Sequence, residues 1–195
     1  MNDGKRQGAD RPPDWRLPAW MDGVLHSAPP AHASMGERMA WVISLAQRNV
    51  AEATGGPFSA AVVERHSGRI VAVGVNLVTS LQCSMAHAEM VALLLAEREL
   101  GRFRIGAGFD LLASTEPCTM CLGAVCWSGV DGLACSARDA DARAIGFDEG
   151  PKPADWCAEL TARGVRVTRD VQRPAAVAVL SDYHRRGGVL YNGRG

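Results

Sequence analysis

No apolar run in this 195-residue chain approaches the roughly 18 residues that would span a bilayer, and the longest helical candidate, Val91 to Ala96, falls far short. No membrane partner is expected. An excess of either charge is missing too: 21 Lys and Arg stand against 21 Asp and Glu. That balance argues against a phosphate backbone as the main partner, though a local patch is not excluded. Lys5 and Arg6 are followed by no apolar stretch, so no secretory signal is read. The expected location is the cytoplasm, where thiols stay reduced. At this length the chain buries enough surface to fold without disulfide staples. Its six cysteines (Cys83, Cys118, Cys121, Cys126, Cys135 and Cys157) therefore read as ligands or buried thiols.

What is present is an ordinary globular composition, 47% hydrophobic and 22% charged, with room for one domain. Residues 1–33 form a separate regime rich in proline (Pro12, Pro13, Pro18, Pro29, Pro30) and without sustained periodicity. They read as an extended or partly disordered arm. Trp15, Leu17 and Trp20 are apolar enough to dock on the domain or on a second subunit. The domain proper, 34–195, opens with Ser34-Met-Gly-Glu37, a capping box ahead of a helix to about Ala53. Two β-branched strands, 58–65 and 69–76, flank the turn His66-Ser67-Gly68 as a hairpin. A loop over 77–85 leads to a helix over 86–100. Further strands are expected over 109–114, 130–136 and 164–169, and helices over 117–128, 139–146, 154–163 and 175–186. The fold class is α/β, a three-layer α/β/α sandwich on a five-stranded mixed sheet, its last three strands parallel because helices cross over between them.

Two short motifs carry chemistry: His87-Ala88-Glu89 and Pro117-Cys118-Thr119-Met120-Cys121. Cysteines three apart lie on one helix face and can hold one ion. Pro117 suits the first helical position, which would put both thiols in a first turn where the dipole favours thiolate. Two thiolates and an imidazole in tetrahedral geometry select zinc. His87 and Glu89 point about 200° apart on a helix, so both reach one ion only if the helix begins at His87 or just before. Three ligands leave a fourth position for water, whose pKa zinc lowers to about 7. Glu89, not a ligand, is the candidate to move its proton. Other readings stay open: a redox dithiol, or a closed structural zinc with Cys83 or Cys126 as fourth ligand. Cys126, Cys135 and Cys157 otherwise read as ordinary buried thiols.

His-x-Glu followed by Pro-Cys-x-x-Cys is the signature of zinc deaminases, and the chain resembles the cytidine-deaminase-like superfamily. Within it the chain is similar to bacterial guanine deaminases. Gly55-Gly-Pro-Phe58, Asn76, Ala86-His-Ala-Glu89, Glu116-Pro-Cys-Thr-Met-Cys121 and Gly146-Phe-Asp-Glu149 carry that likeness in order and spacing. The ending Val189-Leu-Tyr-Asn-Gly-Arg194 resembles a branch that accepts guanine and ammeline. The resemblance implies that Asn76 holds the purine carbonyl and that Phe58 and Trp127 sandwich the ring. It implies that the acidic end of the Gly-Phe-Asp-Glu segment binds the base and assists proton transfer, with Glu149 catalytic and Asp148 beside it as substrate-binding. A homodimer, with possible exchange of the C-terminal segment, is also implied, so that Tyr191 lines one pocket or the partner's. The expected partner is a small nucleobase and not a nucleic acid. Ammeline, guanosine, cytosine, a nucleic-acid substrate and a non-enzymatic zinc module remain alternatives at this point.

Overall fold

Ser34 opens the first helix by a reciprocal cap. Its Oγ accepts the Glu37 N–H at 3.2 Å while Glu37 Oε2 accepts the Ser34 N–H at 2.7 Å, as the Ser-x-x-Glu spacing predicts. The computed structural model describes residues 16–193, and from this cap helix α1 runs over Met35–Ala51. Strands β1 (Ser59–Glu64) and β2 (Ile70–Val75) form the hairpin. A four-residue helix, α2 (Val78–Leu81), lies in the segment read as loop, too short to show a period. Helix α3 (Ala88–Leu100) and strand β3 (Phe109–Thr115) follow, then α4 (Thr119–Ser128) and β4 (Gly132–Ala137). The chain ends with α5 (Asp139–Ala144), α6 (Trp156–Ala162), β5 (Arg166–Thr168) and α7 (Arg173–Arg185).

The five strands lie in the order β2-β1-β3-β4-β5. β1 is antiparallel to both neighbours, and β3, β4 and β5 are parallel. The crossover helices make this so: α4 joins β3 to β4, and α5 with α6 joins β4 to β5. Because side chains alternate along a strand, each face needs its own cover. Ala61 and Val63 of β1 and Leu112 of β3 pack with Met39, Val42 and Ile43 of α1 and Val179 and Leu180 of α7. Ala60 and Val62 of β1 and Leu111 and Ala113 of β3 pack with Ala92 of α3, Val125 of α4 and Leu160 of α6. Both faces are buried, giving the three layers expected.

Residues 1–15, Trp15 among them, lie outside the described residues. Beyond them, two short 3-10 turns over Ala19–Met21 and Val24–Ser27 carry Met21 and Val24 into the core on the α1 face. Trp20 Nε1 donates to Thr54 Oγ1 at 3.0 Å, and the Arg48 guanidinium covers its ring at 4.8 Å. Composition gave no hint of these turns, because the apolar residues are spaced by prolines and show no period. The carboxyl ends of β1 and β2 lie at opposite edges of the hairpin, while the loops after β2 and β3 open on one end of the sheet. The site is built there.

Candidate active site

The N-termini of α3 and α4 converge at this end. His87 is the N-cap of α3, so the helix begins where a shared His-x-Glu site requires, and Cys118 is the N-cap of α4. Cys118 keeps extended backbone (φ −67°, ψ 173°), which leaves Pro117 ahead of the cap and not at the first helical position suggested by the sequence. Cys118 Sγ lies 3.4 Å and Cys121 Sγ 3.7 Å from His87 Nδ1. Zinc bound tetrahedrally at its usual bond lengths would put sulfur and nitrogen about 3.6 Å apart. The donors therefore already stand where the ion needs them. Among the described residues these three form the one group of His, Cys, Asp or Glu donors within 4.8 Å of one another. No fourth ligand joins, so the closed structural site with Cys83 or Cys126 is not formed. Cys126 is exposed, which corrects its reading as a buried thiol, while Cys135 is buried and Cys157 half-buried.

Electrostatics favour a cation. Cys118 is held down to about 4 by the hydrogen bond from Cys121, with the His87 ring helping against burial. Cys121, as the donor of that bond and buried, is pushed well up. Burial opposes a charged His87, yet the Cys118 thiolate and the Glu89 and Glu149 carboxylates raise it. Glu89 is buried in the first turn of α3, and burial first, then the Cys118 thiolate, pushes its carboxyl up. Burial opposes ionisation of Cys121 and Glu89 here, and a divalent ion beside the Cys118 thiolate would offset that cost.

A cavity of about 490 Å³ opens beside the donors, lined by Phe58, Asn76, His87, Glu89, Glu149 and Tyr191 among others. Asn76 is buried where β2 ends; its Oδ1 accepts the Val78 N–H at 3.3 Å and its backbone carbonyl accepts Asn49 Nδ2 at 2.8 Å. With the oxygen so used, the Nδ2 end remains to donate to a ligand. Glu149 is buried across the cavity, and burial first, then the Cys118 and Glu89 charges, pushes its carboxyl up to about 8. Its backbone is tied to the metal helix, the Thr119 N–H donating to the Glu149 carbonyl at 3.0 Å. Tyr191 folds over the cavity of its own chain with its hydroxyl buried and unpartnered.

One expectation is corrected. Trp127 is 84% exposed at the far end of α4 and does not line the cavity. Cys121 and Leu122 turn the other face of that helix inward. The aromatic partner of Phe58 is Phe147, edge-on at 5.0 Å, which in turn meets Tyr191 at 5.0 Å. Asp148 borders the cavity, but its Oδ1 accepts the Gly150 N–H at 2.9 Å and faces Arg143 at 3.6 Å. Its carboxylate shapes the turn, and the buried acid is Glu149. Asn192, which the sequence does not single out, accepts the Asp148 N–H at 2.8 Å and donates to the Gly146 carbonyl at 2.9 Å. Phe147 and Asn192 both stand inside motifs visible in the sequence, but nothing in residue type alone marks a ring neighbour or a clamp.

The family model for the cytidine and deoxycytidylate deaminase zinc-binding region matches residues 34–137, more than half of the chain. The chain belongs to this deaminase family. It is 38% identical over 107 residues to the guanine deaminase of Bacillus subtilis (strain 168), covering 55% of this chain and 67% of that protein. The solved structure of a guanine deaminase from Nitrosomonas europaea superposes with a TM-score of 0.81 at 42% identity, covering 95% of this chain and 98% of that one. A structure of NE0047 in complex with 2,6-diaminopurine superposes at 0.83 and 46% identity, covering 92% and 96%. His87, Cys118 and Cys121, within the zinc-binding region that the family model matches, are positioned to bind the metal ion. No described helix is long and apolar enough to cross a membrane.

Proposed function

We propose that the chain hydrolyses the exocyclic amine of guanine, giving xanthine and ammonia. The observation that carries this reading is the pairing of two buried carboxyls, Glu89 and Glu149, on a cavity that also holds the three zinc donors. The purine-bound and guanine-deaminating relatives support the choice of base. Zinc, when bound by His87, Cys118 and Cys121, supplies a Lewis acid that makes water nucleophilic near neutral pH.

The chain's own residues do the rest. Asn76 Nδ2 donates to the purine O6, and Glu149 faces the N1–H and the exocyclic amine, so donors meet acceptors along the edge that reacts. Phe58 and Phe147 bound the ring, and Tyr191 closes the cavity and excludes water. Glu89 takes a proton from the attacking water and returns it to the ring nitrogen. Glu149, whose buried carboxyl holds its proton to about pH 8, protonates the leaving amine and takes up the remaining proton of the added water as the C2 carbonyl forms. One water is consumed and one ammonia leaves.

The test is ammonia release by the purified zinc protein from guanine, ammeline, guanosine, cytosine and adenine. Guanine is expected to react fastest, and no release from guanine would refute the reading. Glu89→Gln should lower kcat by about 10²–10⁴-fold with zinc retained, and Glu149→Gln by a smaller but clear factor; near-normal turnover in either removes that residue's role.

The remaining expectations belong to the same reading. The deaminase domain starts at residue 34 after an arm, the protein works in the cytoplasm, nucleic acid is not a substrate, and two copies form a homodimer. Exchange of the C-terminal segment would deliver Tyr191 to the partner's cavity. Light scattering on the full chain and on one ending before Val189 distinguishes a dimer that depends on the tail from one that does not.

A further inference from the structure

Lys152 occupies a place that the proposed reaction leaves unused. Its side chain is 7% exposed, although a lysine ammonium ordinarily stays in water. Nζ lies 3.0 Å from Asp139 Oδ1, 3.9 Å from Glu116 Oε2 and 5.2 Å from the centroid of the Trp156 ring. Each carboxylate has a second cation. Arg143 Nε is 2.6 Å from Asp139 Oδ2, and Arg169 Nη2 is 2.6 Å from Glu116 Oε1. The charges thus alternate along one chain, Arg169, Glu116, Lys152, Asp139, Arg143, with Lys152 at its centre.

Glu116 and Arg143, on either side of Lys152 in that chain, reach the residues around Glu149 and the zinc donors. Glu116 directly precedes Pro117 and Cys118, and its Oε2 accepts the Asp139 N–H at 3.0 Å, tying the approach to α4 to the start of α5. Arg143 Nη2 donates to the Gly150 carbonyl at 2.9 Å, and its Nη1 lies 3.6 Å from Asp148 Oδ1. Glu149 stands between those two residues. Gly150 then turns the backbone at φ +71°, where a Cβ would lie 3.0 Å from Thr119 Oγ1, so only glycine closes the turn without strain. The Lys152 N–H returns to the Gly150 carbonyl at 3.1 Å. Lys152 itself does not line the cavity.

We propose that Lys152 is a positioning residue for Glu149: its ammonium, held between Asp139 and Glu116, closes the turn over 147–150 against the zinc helix and so sets where the Glu149 carboxyl stands in the cavity. The proposal rests on the reading of Glu149 given above. Physically, a buried cation three residues beyond an acid fixes the far side of its turn, and a displacement of about 1 Å in a catalytic group costs as much as 100-fold in rate. The fold should survive loss of the ammonium, because Asp139 keeps Arg143 and Glu116 keeps Arg169.

The test is a double-mutant cycle of Lys152→Met and Glu149→Gln in the full-length zinc protein, reading zinc per chain, Tm, kcat and KM for guanine. Lys152→Met is expected to keep one zinc and a cooperative unfolding transition, to lower kcat about 10- to 100-fold with KM changed less than about threefold, and to cause less than about twofold further loss when Glu149 is already Gln. Lys152→Arg, whose guanidinium can still meet both carboxylates, should recover most of the rate. An equal fold-loss in both backgrounds, or an unchanged kcat, overturns the proposal. If Lys152→Met loses zinc, the same cycle on Lys152→Arg decides: a small loss that vanishes beside Glu149→Gln supports positioning, and an additive one refutes it. Full activity of Glu149→Gln alone refutes the role of Glu149, a failure read before Lys152 enters the cycle.

Discussion

Gly74 lies so close beneath Ala88 that a Cβ on the glycine would stand 2.3 Å from the Ala88 carbonyl oxygen and 2.5 Å from the Ala92 nitrogen. Strand β2 and the first turn of α3 therefore touch backbone to backbone. Ala88 is the residue between His87 and Glu89, so this contact sets the height of a zinc donor and a proton carrier above the sheet. Neither backbone atom can swing aside as a side chain would. Gly74→Ala should cost about 1–3 kcal/mol and, by lifting α3, should lower zinc per chain. Chemical denaturation of the variant together with metal analysis checks both; an unchanged zinc content would mean that the helix start adapts without moving His87.

The three donors also make a prediction about metal removal. His87, Cys118 and Cys121 are drawn together by the convergence of two helix starts, where like charges accumulate without an ion. A ligand that binds only the folded state stabilises it by mass action. Chelation should lower Tm by several degrees and abolish ammonia release, and added zinc should restore both. Cys118→Ser should reproduce the chelated protein. Cys126→Ser, at an exposed thiol outside the donor group, should leave zinc content and activity intact. Loss of zinc from that variant would show that the donor set is larger than these three residues.

The metal half of the site was legible in the sequence because its geometry is local. A cysteine pair three apart declares a helix face, and His87 with Glu89 two apart forces the helix to start between them and the preceding loop, as it does. The parallel run of the last three strands was legible for a similar reason, since helices between β3, β4 and β5 leave only parallel pairing. The substrate side was harder to read. Which wall Phe58 meets depends on how the turn over 147–150 folds back, and Phe147 takes the place assigned to Trp127 because Trp127 falls on the outward face of α4. Asp148 and Glu149 are adjacent and alike in sequence; only the left-handed turn at Gly150 decides that one caps the turn and the other enters the cavity. The ion chain through Lys152 joins residues 116, 139 and 152, a relation no local spacing encodes.

Tyr191 gives opposite signs for stability and activity. Its hydroxyl is buried and has no hydrogen-bond partner, and burial pushes its pKa well above the usual range. A buried hydroxyl without a partner costs about 1–3 kcal/mol. Tyr191→Phe should therefore raise Tm slightly in the free protein while raising KM for guanine, because the hydroxyl is left over for a ligand. Thermal unfolding and steady-state kinetics on the same preparation decide this. A fall in Tm with KM unchanged would mean that the hydroxyl serves the fold and not the substrate.

The tether between α5 and α7 should make stability depend on pH in a definite direction. Asp141 accepts Arg173 Nε at 2.9 Å and Nη2 at 2.8 Å, and its Oδ2 also accepts the Arg138 N–H at 2.7 Å. The Arg173 guanidinium first, with the Arg138 N–H behind it, holds the Asp141 carboxyl below its usual range. A carboxyl lowered by folding stabilises the protein above its unfolded pKa of about 3.9. That stability disappears as the pH falls through the lower, folded value. Asp141→Asn removes the charge at every pH, so its cost should be full near neutrality, at most about 1 kcal/mol for the lost charge opposite Arg173, and should shrink as the pH falls below the unfolded value of about 3.9. Urea unfolding of both proteins from pH 3 to 7 tests the sign. A difference that grows on acidification would show that Asp141 is protonated in the folded state and that its contact with Arg173 does not bind the two helices.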